Sequence, residues 1–461
     1  MFAIENPSTG KSEDTFERID DSQRDDILDR STAAFNAWRE TRIEERAAIL
    51  SRAADLYEER IDELADHIGR EMGKLTRWAK AEIQIVADIY RYYAEHAHEL
   101  LADEYLPAQN AHKTVVRKEP IGPLLGIMPW NFPYYQVARF AAPAIMAGNV
   151  VVVKHAEICP RSAAAIEKIF DQAGAPKGLY TNVYAQHSQI STMIKDNRVQ
   201  GVSLTGSERA GRAIASQAGE ALKKCVLELG GTDAYVVLDS SDVKAAAETA
   251  WNKRIGNVGQ ACTSNKRMIV MEDIYDEFVQ ALVDIASSYS EGDPLNPGEG
   301  NEFYPLSSRD AAELLAQQLR LAVEDGANLH VGGEVTGKGA YITPAVITDI
   351  PVGSDSYYEE FFGPVAEVYK VSSEEEAIEV ANDSRYGLGG AVMSEDEERA
   401  KKVAAKVDTG MIHVNIPQAR GAELPFGGVK ASGLGRELGP LGMDEFVNHQ
   451  RFYVAGSDSA V

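Results

Sequence analysis

The spacing of hydrophobic positions changes character along this chain, and each change predicts a different element. From about Arg24 to Leu101 the rhythm is helical. Within Glu44 to Arg70, the residues Leu50, Ala53, Ala54, Tyr57, Ile61, Leu64 and Ile68 recur at three- and four-residue spacing, with acids and arginines between them. Gly73 is placed to close that helix. Lys113 to Lys118, flanked by Pro107 and Pro120, reads as one strand of a hairpin.

From Pro123 to Leu238 short apolar runs take over: Leu124 to Met128, Val150 to Lys154, Tyr180 to Tyr184, Val199 to Leu204 and Cys225 to Leu229. Helical patterns such as Arg161 to Ala173 and Ser207 to Ala218 separate them. This alternation predicts parallel strands with crossover helices, an open doubly wound sheet, and such sheets bind nucleotides at the carboxyl ends of their strands. A second alternation follows Gly230. Strands are predicted at Ala234 to Leu238, Lys266 to Val270, Val346 to Ile350 and Leu388 to Met393. Helices are predicted at Val243 to Arg254, Ile274 to Ser287, Ala311 to Glu324 and Asp396 to Val407. The tail from Met411 is rich in glycine and is expected to be mostly loops. The fold class is therefore α/β, with a second α/β unit after the first.

Composition narrows the picture. A chain of 461 residues exceeds one ordinary core, so two or three domains are expected, and 44% hydrophobic residues suffice to fill them. Cys159, Cys225 and Cys262 lie far apart, without C-x-x-C or H-E-x-x-H, which argues against a zinc site and a disulfide framework and fits a reducing cytoplasm. The first residues show no signal-peptide pattern, and no apolar run is long enough to span a bilayer. Asp and Glu number 71 against 46 Lys and Arg, a formal net charge of -25. So acidic a chain is not expected to partner nucleic acid or an anionic membrane. It suits work in concentrated salt, where screening removes self-repulsion; an ordinary acidic cytosolic protein is the alternative.

Three segments carry candidate chemistry. Asn257-Val258-Gly259-Gln260-Ala261-Cys262-Thr263-Ser264 holds a cysteine behind a glycine, in small and polar company. Leu227-Glu228-Leu229-Gly230-Gly231 sets a carboxylate before paired glycines. Pro129-Trp130-Asn131-Phe132-Pro133 fixes an amide between prolines. Nucleophile, general base and oxyanion donor are the roles needed to attack a carbonyl. Asn131 reads equally as a turn residue. Thr205-Gly206-Ser207-Glu208-Arg209-Ala210-Gly211 follows a predicted strand and opens a predicted helix, a place for a pyrophosphate or a plain turn. It is neither the ATPase phosphate loop nor G-x-G-x-x-G.

With Ser203-Leu204-Thr205-Gly206-Ser207, Glu360-Phe361-Phe362-Gly363-Pro364 and Pro425-Phe426-Gly427-Gly428-Val429-Lys430-Ala431-Ser432-Gly433, these segments come in one order, and the chain resembles the aldehyde dehydrogenase superfamily over nearly its whole length. The resemblance implies a Rossmann-type dinucleotide-binding domain over 1–102 and 122–229 and a catalytic domain over 230–415. It assigns 103–121 and 416–461 to an oligomerisation arm and C-terminal segment of a homodimer or homotetramer. Cys262 would attack an aldehyde, and the thiohemiacetal oxyanion would accept hydrogen bonds from the Asn131 amide and the Cys262 N–H. Hydride loss to nicotinamide would leave a thioester, and Glu228 would activate the water that releases the acid.

The same resemblance sets Pro129, Trp130, Gly206, Ser207, Gly211, Leu229 and Gly230 beside the dinucleotide. Lys154 would bond the adenosine ribose, and Glu157 would repel a 2′-phosphate, favouring NAD over NADP. Glu360 would hold the nicotinamide ribose, with Phe362 beside it; alone, Glu360 reads as half of an acidic pair on a solvated face. His155 stands where the family often has proline.

Arg139 lies eight residues after Asn131, one helical turn after Tyr135 and on its face. The resembling family lines its substrate tunnel with this helix, and an arginine there resembles the succinate-semialdehyde dehydrogenases, as does Leu227 to Asp233. A guanidinium in a partly dry tunnel calls for a carboxylate. The expected substrate is a short ω-carboxy aldehyde, with Tyr135 nearby and Arg420 and Lys266 as weaker partners for the anion. An arginine paired with a protein acid is the competing reading. Other functions stay open: a different small aldehyde, a CoA-acylating dehydrogenase, a cysteine hydrolase using His413 or His155, or a structural protein.

Overall fold

The computed structural model describes residues 2–108, 111–337 and 339–455. Met1, residues 109–110 of the expected arm, Lys338 and residues 456–461 of the expected C-terminal segment lie outside them.

Two open sheets organise the chain. In the first, parallel strands lie side by side in the order Lys224–Glu228, Gly201–Thr205, Pro123–Met128, Val150–His155, Tyr180–Asn182, with Gly433–Leu434 antiparallel at one edge. Read in chain order this is the 3-2-1-4-5 arrangement of a doubly wound sheet. Alternate side chains fill opposite cores: Leu124 and Val153 face one, Leu125 and Val152 the other. The second sheet has seven strands. Its order is Asn328–Val331, Ala345–Thr348, Val365–Val371, Arg267–Met271, Ala234–Val237, Gly389–Met393, Met411–Val414, parallel except for the first. It too is buried on both faces, with Val236 and Ile269 on one side and Tyr235 and Met268 on the other. A third sheet joins Glu104–Tyr105, Ala111–Pro120 and Val447–Ala455.

Several expectations are corrected. The single helix read across Glu44 to Arg70 is two, Ile43–Glu59 and Ile61–Met72, broken at Arg60 (φ -109°, ψ 18°). The apolar rhythm runs through the break because Tyr57, Leu64 and Ile68 all bury in one core. Gly73 does close the second helix, at φ 74°. Val365–Val371, central in the second sheet, passed unread because Glu367 and Lys370 interrupt its apolar pattern. The tail is not mostly loops. Met411–Val414 extends the second sheet, and Val447–Ala455 pairs along Ala111–Pro120 with most of its side chains exposed, so no hydrophobic alternation marks it. Among the described residues no helix is long and apolar enough to cross a membrane.

The segment after strand Pro123–Met128 is pinned by a buried ion pair. Lys74 Nζ lies 2.5 Å from Glu82 Oε2, with both side chains out of solvent, and donates to the Asn131 carbonyl at 2.7 Å. The other Glu82 oxygen accepts from the Tyr134 and Tyr135 N–H groups at 2.9 and 3.1 Å. Helix Thr76–Glu95 thus dictates the backbone of residues 131–135. Breaking a buried pair from one side leaves an uncompensated charge. Lys74→Met should therefore cost about 3–5 kcal/mol of stability, and Lys74→Met/Glu82→Gln less than the single change. Denaturant midpoints of the three proteins measure this; a Lys74→Met midpoint equal to wild type would refute the clamp.

Candidate active site

Cys262 is delivered by a strained loop. Helix Val243–Ile255 ends in a turn, Gly256–Gly259, in which Asn257 (φ 54°, ψ 35°), Val258 (φ 56°, ψ 32°) and Gly259 (φ 74°) are all left-handed. For a β-branched valine this conformation is costly and persists only where surroundings enforce it. They do. Asn257 Nδ2 donates to the Asn131 carbonyl (2.9 Å) and the Gln260 carbonyl (3.1 Å), and Arg254 Nη1 donates to the Gly259 carbonyl at 3.2 Å. A Cβ at Gly259 would stand 2.1 Å from the Gly363 oxygen, so only glycine fits. Beyond the cysteine, buried Lys266 donates to the carbonyls of Ala261 (2.9 Å) and Cys262 (2.8 Å) and pairs with Glu360 at 3.0 Å. Its donors are thereby committed to the loop, not to an incoming anion. Burial pushes the Cys262 thiol up to about 11, against the pull of Arg139 and Lys266.

Asn131 faces this loop. Its Oδ1 accepts from Gln136 Nε2 at 2.9 Å, which fixes the amide orientation, and Nδ2 donates to the Gln260 carbonyl at 3.0 Å. An amide nitrogen has two protons, so one is left for an oxyanion. Glu228 ends the fifth strand of the first sheet, 2% exposed, and neither carboxylate oxygen has a hydrogen-bond partner in the protein. Burial first, then the Glu437 carboxylate, raises it well above the usual carboxylate range, with Arg139 opposing. An unpartnered buried carboxyl of this kind is suited to taking a proton from water.

A cavity of about 370 Å³ reaches Cys262 and is lined among others by Asn257, Tyr135, Arg139, Lys253 and Arg420. Arg139 stacks its guanidinium 4.9 Å from the Tyr135 ring and 4.0 Å from that of Phe426. Its Nε also lies 2.7 Å from Glu437 Oε2, both side chains buried, while Nη2 has no protein partner. It therefore combines the two readings of the sequence: it lines the cavity, and a protein acid meets its charge. Arg420 is exposed and donates from Nε to Gln418 Oε1 at 3.3 Å.

The remaining singled-out residues gather at the carboxyl edge of the first sheet, where its strand order reverses between Pro123–Met128 and Gly201–Thr205. Pro129 and Trp130 leave the first of these strands and Gly206 and Ser207 the second. Ser207 caps helix Glu208–Glu220, accepting from the Ala210 N–H at 3.3 Å, and Gly206 N–H donates to the Glu228 carbonyl at 2.9 Å. A Cβ at Gly211 would stand 2.6 Å from Leu229 Cδ2, so the glycine sets the helix–strand packing. Lys154 is buried at the end of Val150–His155; Glu157 lies 3.5 Å from Arg18 Nη2. Glu360 accepts from the Gly231 N–H at 3.2 Å, close enough that a Cβ at Gly230 would meet it at 2.6 Å, and the Phe362 ring meets Trp130 edge-on at 5.9 Å.

His155 cannot serve as a thiol base. Its Nδ1 accepts from the Ala156 N–H and its Nε2 donates to the Pro133 carbonyl, both at 2.8 Å, and burial lowers it to about 4. His413 bonds the Gly390 carbonyl at 3.0 Å on the second sheet. No group of three metal-ligating side chains occurs among the described residues. Sequence reasoning passed over Lys74, Glu82, Gln136, Lys253, Arg254 and Glu437. Gln136 and Glu437 lay near motifs already singled out; Glu82, Lys253 and Arg254 sit on helices whose polar residues look like solvated faces, and Lys74 in the short link before Thr76–Glu95.

Comparison with known proteins places these contacts in context. Residues 1–452 match the aldehyde dehydrogenase family. A Deinococcus radiodurans protein named as a succinate-semialdehyde dehydrogenase for NADP(+) is 47% identical over 450 residues, 97% of this chain and 94% of its own. An Escherichia coli K12 protein named as a succinate semialdehyde dehydrogenase for NAD(P)+ is 40% identical, covering 96% of each. The crystal structure of a Streptococcus pyogenes succinic semialdehyde dehydrogenase in complex with NADP+ superposes with a TM-score of 0.96 at 42% identity, over 99% of this chain and all of that one. With its Cys262 loop, its doubly wound sheet and this match over nearly its full length, the chain belongs to the aldehyde dehydrogenase family.

Proposed function

We propose that this enzyme oxidises succinate semialdehyde to succinate with NAD(P) as acceptor. The observation that carries the reading is one cavity holding Cys262 together with the cationic side chains of Arg139, Lys253 and Arg420. A small anion bearing an aldehyde suits such a cavity, and a neutral aldehyde leaves the charges of Lys253 and Arg420 unanswered. The names of the relatives in Deinococcus radiodurans and Escherichia coli support the same substrate.

A pyridine dinucleotide fits the edge of the first sheet, because the first turn of helix Glu208–Glu220, ahead of the capped Ala210, has N–H groups without an intrahelical acceptor and Gly211 keeps that helix against Leu229. Pro129, Trp130, Lys154, Ser207, Gly230, Glu360 and Phe362 would complete the contacts. When bound, the dinucleotide supplies the acceptor for the hydride that leaves the substrate carbon. The chain's own residues do the rest. Cys262 Sγ bonds the aldehyde carbon, and the free N–H of Asn131 and the Cys262 backbone N–H receive the oxyanion. Gln136 and Lys74 hold that amide and its backbone in place. Glu228 takes a proton from the water that cleaves the acyl–sulfur bond. Its presence favours hydrolysis over transfer to CoA.

Glu157 remains an argument for NAD, but Arg18 beside it offsets part of its charge, and several relatives are named for NADP. Use of both dinucleotides, with NAD favoured by Glu157, reconciles these observations. We assign 1–102 and 122–229 to the dinucleotide-binding domain, 230–415 to the catalytic domain, and 103–121 with 416–461 to an arm and C-terminal segment that join copies in a homodimer or homotetramer. The cytoplasm suits free Cys159, Cys225 and Cys262. The formal charge of -25 fits a salt-rich interior.

The decisive experiment is steady-state kinetics on succinate semialdehyde and butanal, with NAD and NADP. The charged aldehyde should lead by at least about a hundredfold in kcat/KM, and equal rates would end the substrate assignment. In the same assay Glu157→Gln should raise the NADP:NAD ratio of kcat/KM; an unchanged ratio would remove Glu157 from coenzyme choice.

Cys262→Ala should abolish turnover with dinucleotide affinity kept, and Glu228→Gln should give a rapid NADH burst before slow turnover. Both groups act deprotonated and both are raised, Cys262 to about 11 and Glu228 upward. Wild-type kcat/KM should therefore climb between about pH 6 and pH 9, and a falling profile would contradict the assignment.

If the acidity is adapted to salt, the melting temperature should rise as molar salt is added. A salt-independent melt would leave the charge as ordinary solubility.

A further inference from the structure

Lys266 reads in the sequence as a secondary partner for the substrate anion, yet its ammonium is buried and already engaged. It pairs with Glu360 Oε1 at 3.0 Å and donates to the carbonyls of Ala261 at 2.9 Å and Cys262 at 2.8 Å. An ammonium has three protons, so none is left over. The backbone of this lysine is held as firmly. Its N–H donates to the Ser264 carbonyl at 2.9 Å, and its carbonyl accepts from the Glu367 N–H of the second sheet at 3.3 Å. The side chain therefore reaches back over the Cys262 loop from an anchor on the sheet.

The Ala261 carbonyl matters for what lies at the other end of its peptide group. The N–H there belongs to Cys262 and is the second donor to the oxyanion. No peptide bond among the described residues is cis. In a trans peptide the C=O and N–H point in opposite directions within one plane, so holding the oxygen aims the hydrogen. This oxygen is held twice, by Lys266 Nζ and by the Ser264 N–H at 3.1 Å. A cationic donor also draws charge toward the oxygen, which makes the N–H at the far end a stronger donor. The loop needs such a brace, because it begins in the left-handed run at Asn257, Val258 and Gly259. The Asn131 amide, the other oxyanion donor, is braced separately by Gln136.

We propose that Lys266 is the positioning residue of the oxyanion site: by holding the Ala261 carbonyl it aims and strengthens the Cys262 N–H, and through Glu360 it ties that donor to the segment that would meet the dinucleotide. The inference rests on the reading of Cys262 as the nucleophile and is independent of which aldehyde the enzyme takes.

The test uses the full chain without dinucleotide and two reagents that consume the same thiolate. With p-nitrophenyl acetate the sulfur attacks the ester carbonyl, an oxyanion forms and collapses, and p-nitrophenolate leaves an S-acetyl cysteine behind. With iodoacetamide the sulfur displaces iodide from a saturated carbon, and the charge develops on the iodide. Burial raises the Cys262 thiol, and Lys266, after Arg139, opposes that rise. Both rates scale with the thiolate fraction, so their ratio at one pH cancels this effect and reads the oxyanion donors alone. In Lys266→Met the ratio of acylation to alkylation should fall at least about tenfold. Lys266→Gln, which keeps a neutral donor, should lower it about threefold. A smaller fall in Lys266→Met, or equal slowing of both reactions, would overturn the proposal and leave Lys266 a structural lysine. If Lys266→Met does not fold, Lys266→Gln decides, and a ratio less than about threefold below wild type overturns the proposal. Mass spectrometry of the Cys262 peptide keeps the two readings apart. A wild type that takes neither label at Cys262 would end the nucleophile reading, and this inference with it.

Discussion

One carbonyl holds the site together. The oxygen of Asn131 accepts from Lys74 Nζ at 2.7 Å and from Asn257 Nδ2 at 2.9 Å, while the side chain of the same residue donates to the Gln260 carbonyl at 3.0 Å. Helix Thr76–Glu95, the turn after Met128 and the cysteine loop are thereby locked at one residue. Without this junction the left-handed run at Asn257 and Val258 is held only by the bonds to the Gln260 and Gly259 carbonyls. The ion pair behind it is justified by geometry as well as charge. Glu82 answers Lys74 and two backbone N–H groups at once, so neither of its buried oxygens lacks a donor.

The electrostatics of the pocket divide by function. Lys74, Lys266 and Arg254 spend their donors on carbonyls and acids of the scaffold. Glu228 spends nothing, and its carboxyl is held ready by isolation. Gly427 backs it at φ 149°, where a Cβ would come within 2.7 Å of its Oε1, so the space around the base is kept by glycine. Rigidity thus belongs to the groups that position, and freedom to the group that must exchange protons.

Much of this was legible from residue order. Four of the five parallel strands of the first sheet announce themselves through Leu124, Val152, Val202 and Val226, because parallel strands are apolar on both faces. Cys262, Glu228 and Asn131 each stand in a local context that says what it can do. Lys74 and Lys253 were not legible. Lys74 follows the glycine that closes a helix and Lys253 sits in a helical pattern; neither is distinguishable by spacing from a solvated lysine, and only neighbours in space reveal their surroundings. Val365–Val371 was hidden by the buried Glu367, a polar residue whose environment of Arg254 and Arg267 is supplied from elsewhere in the chain. Val447–Ala455 was hidden for the opposite reason, since a strand with solvent on nearly every side chain carries no periodic signal.

The chain passes between its two sheets beside Glu228, at Leu229 to Asp233, and returns near Ser432. Ser432 sews the two crossings together: its carbonyl accepts from the Leu229 N–H at 2.9 Å and its hydroxyl donates to the Gly230 carbonyl at 2.7 Å. Hinged enzymes place such crossings away from the chemistry, so that lobes can part without dislodging a working group. Here the seam and the proton acceptor are adjacent, so Glu228 sits where a relative motion of the two sheets displaces a group least.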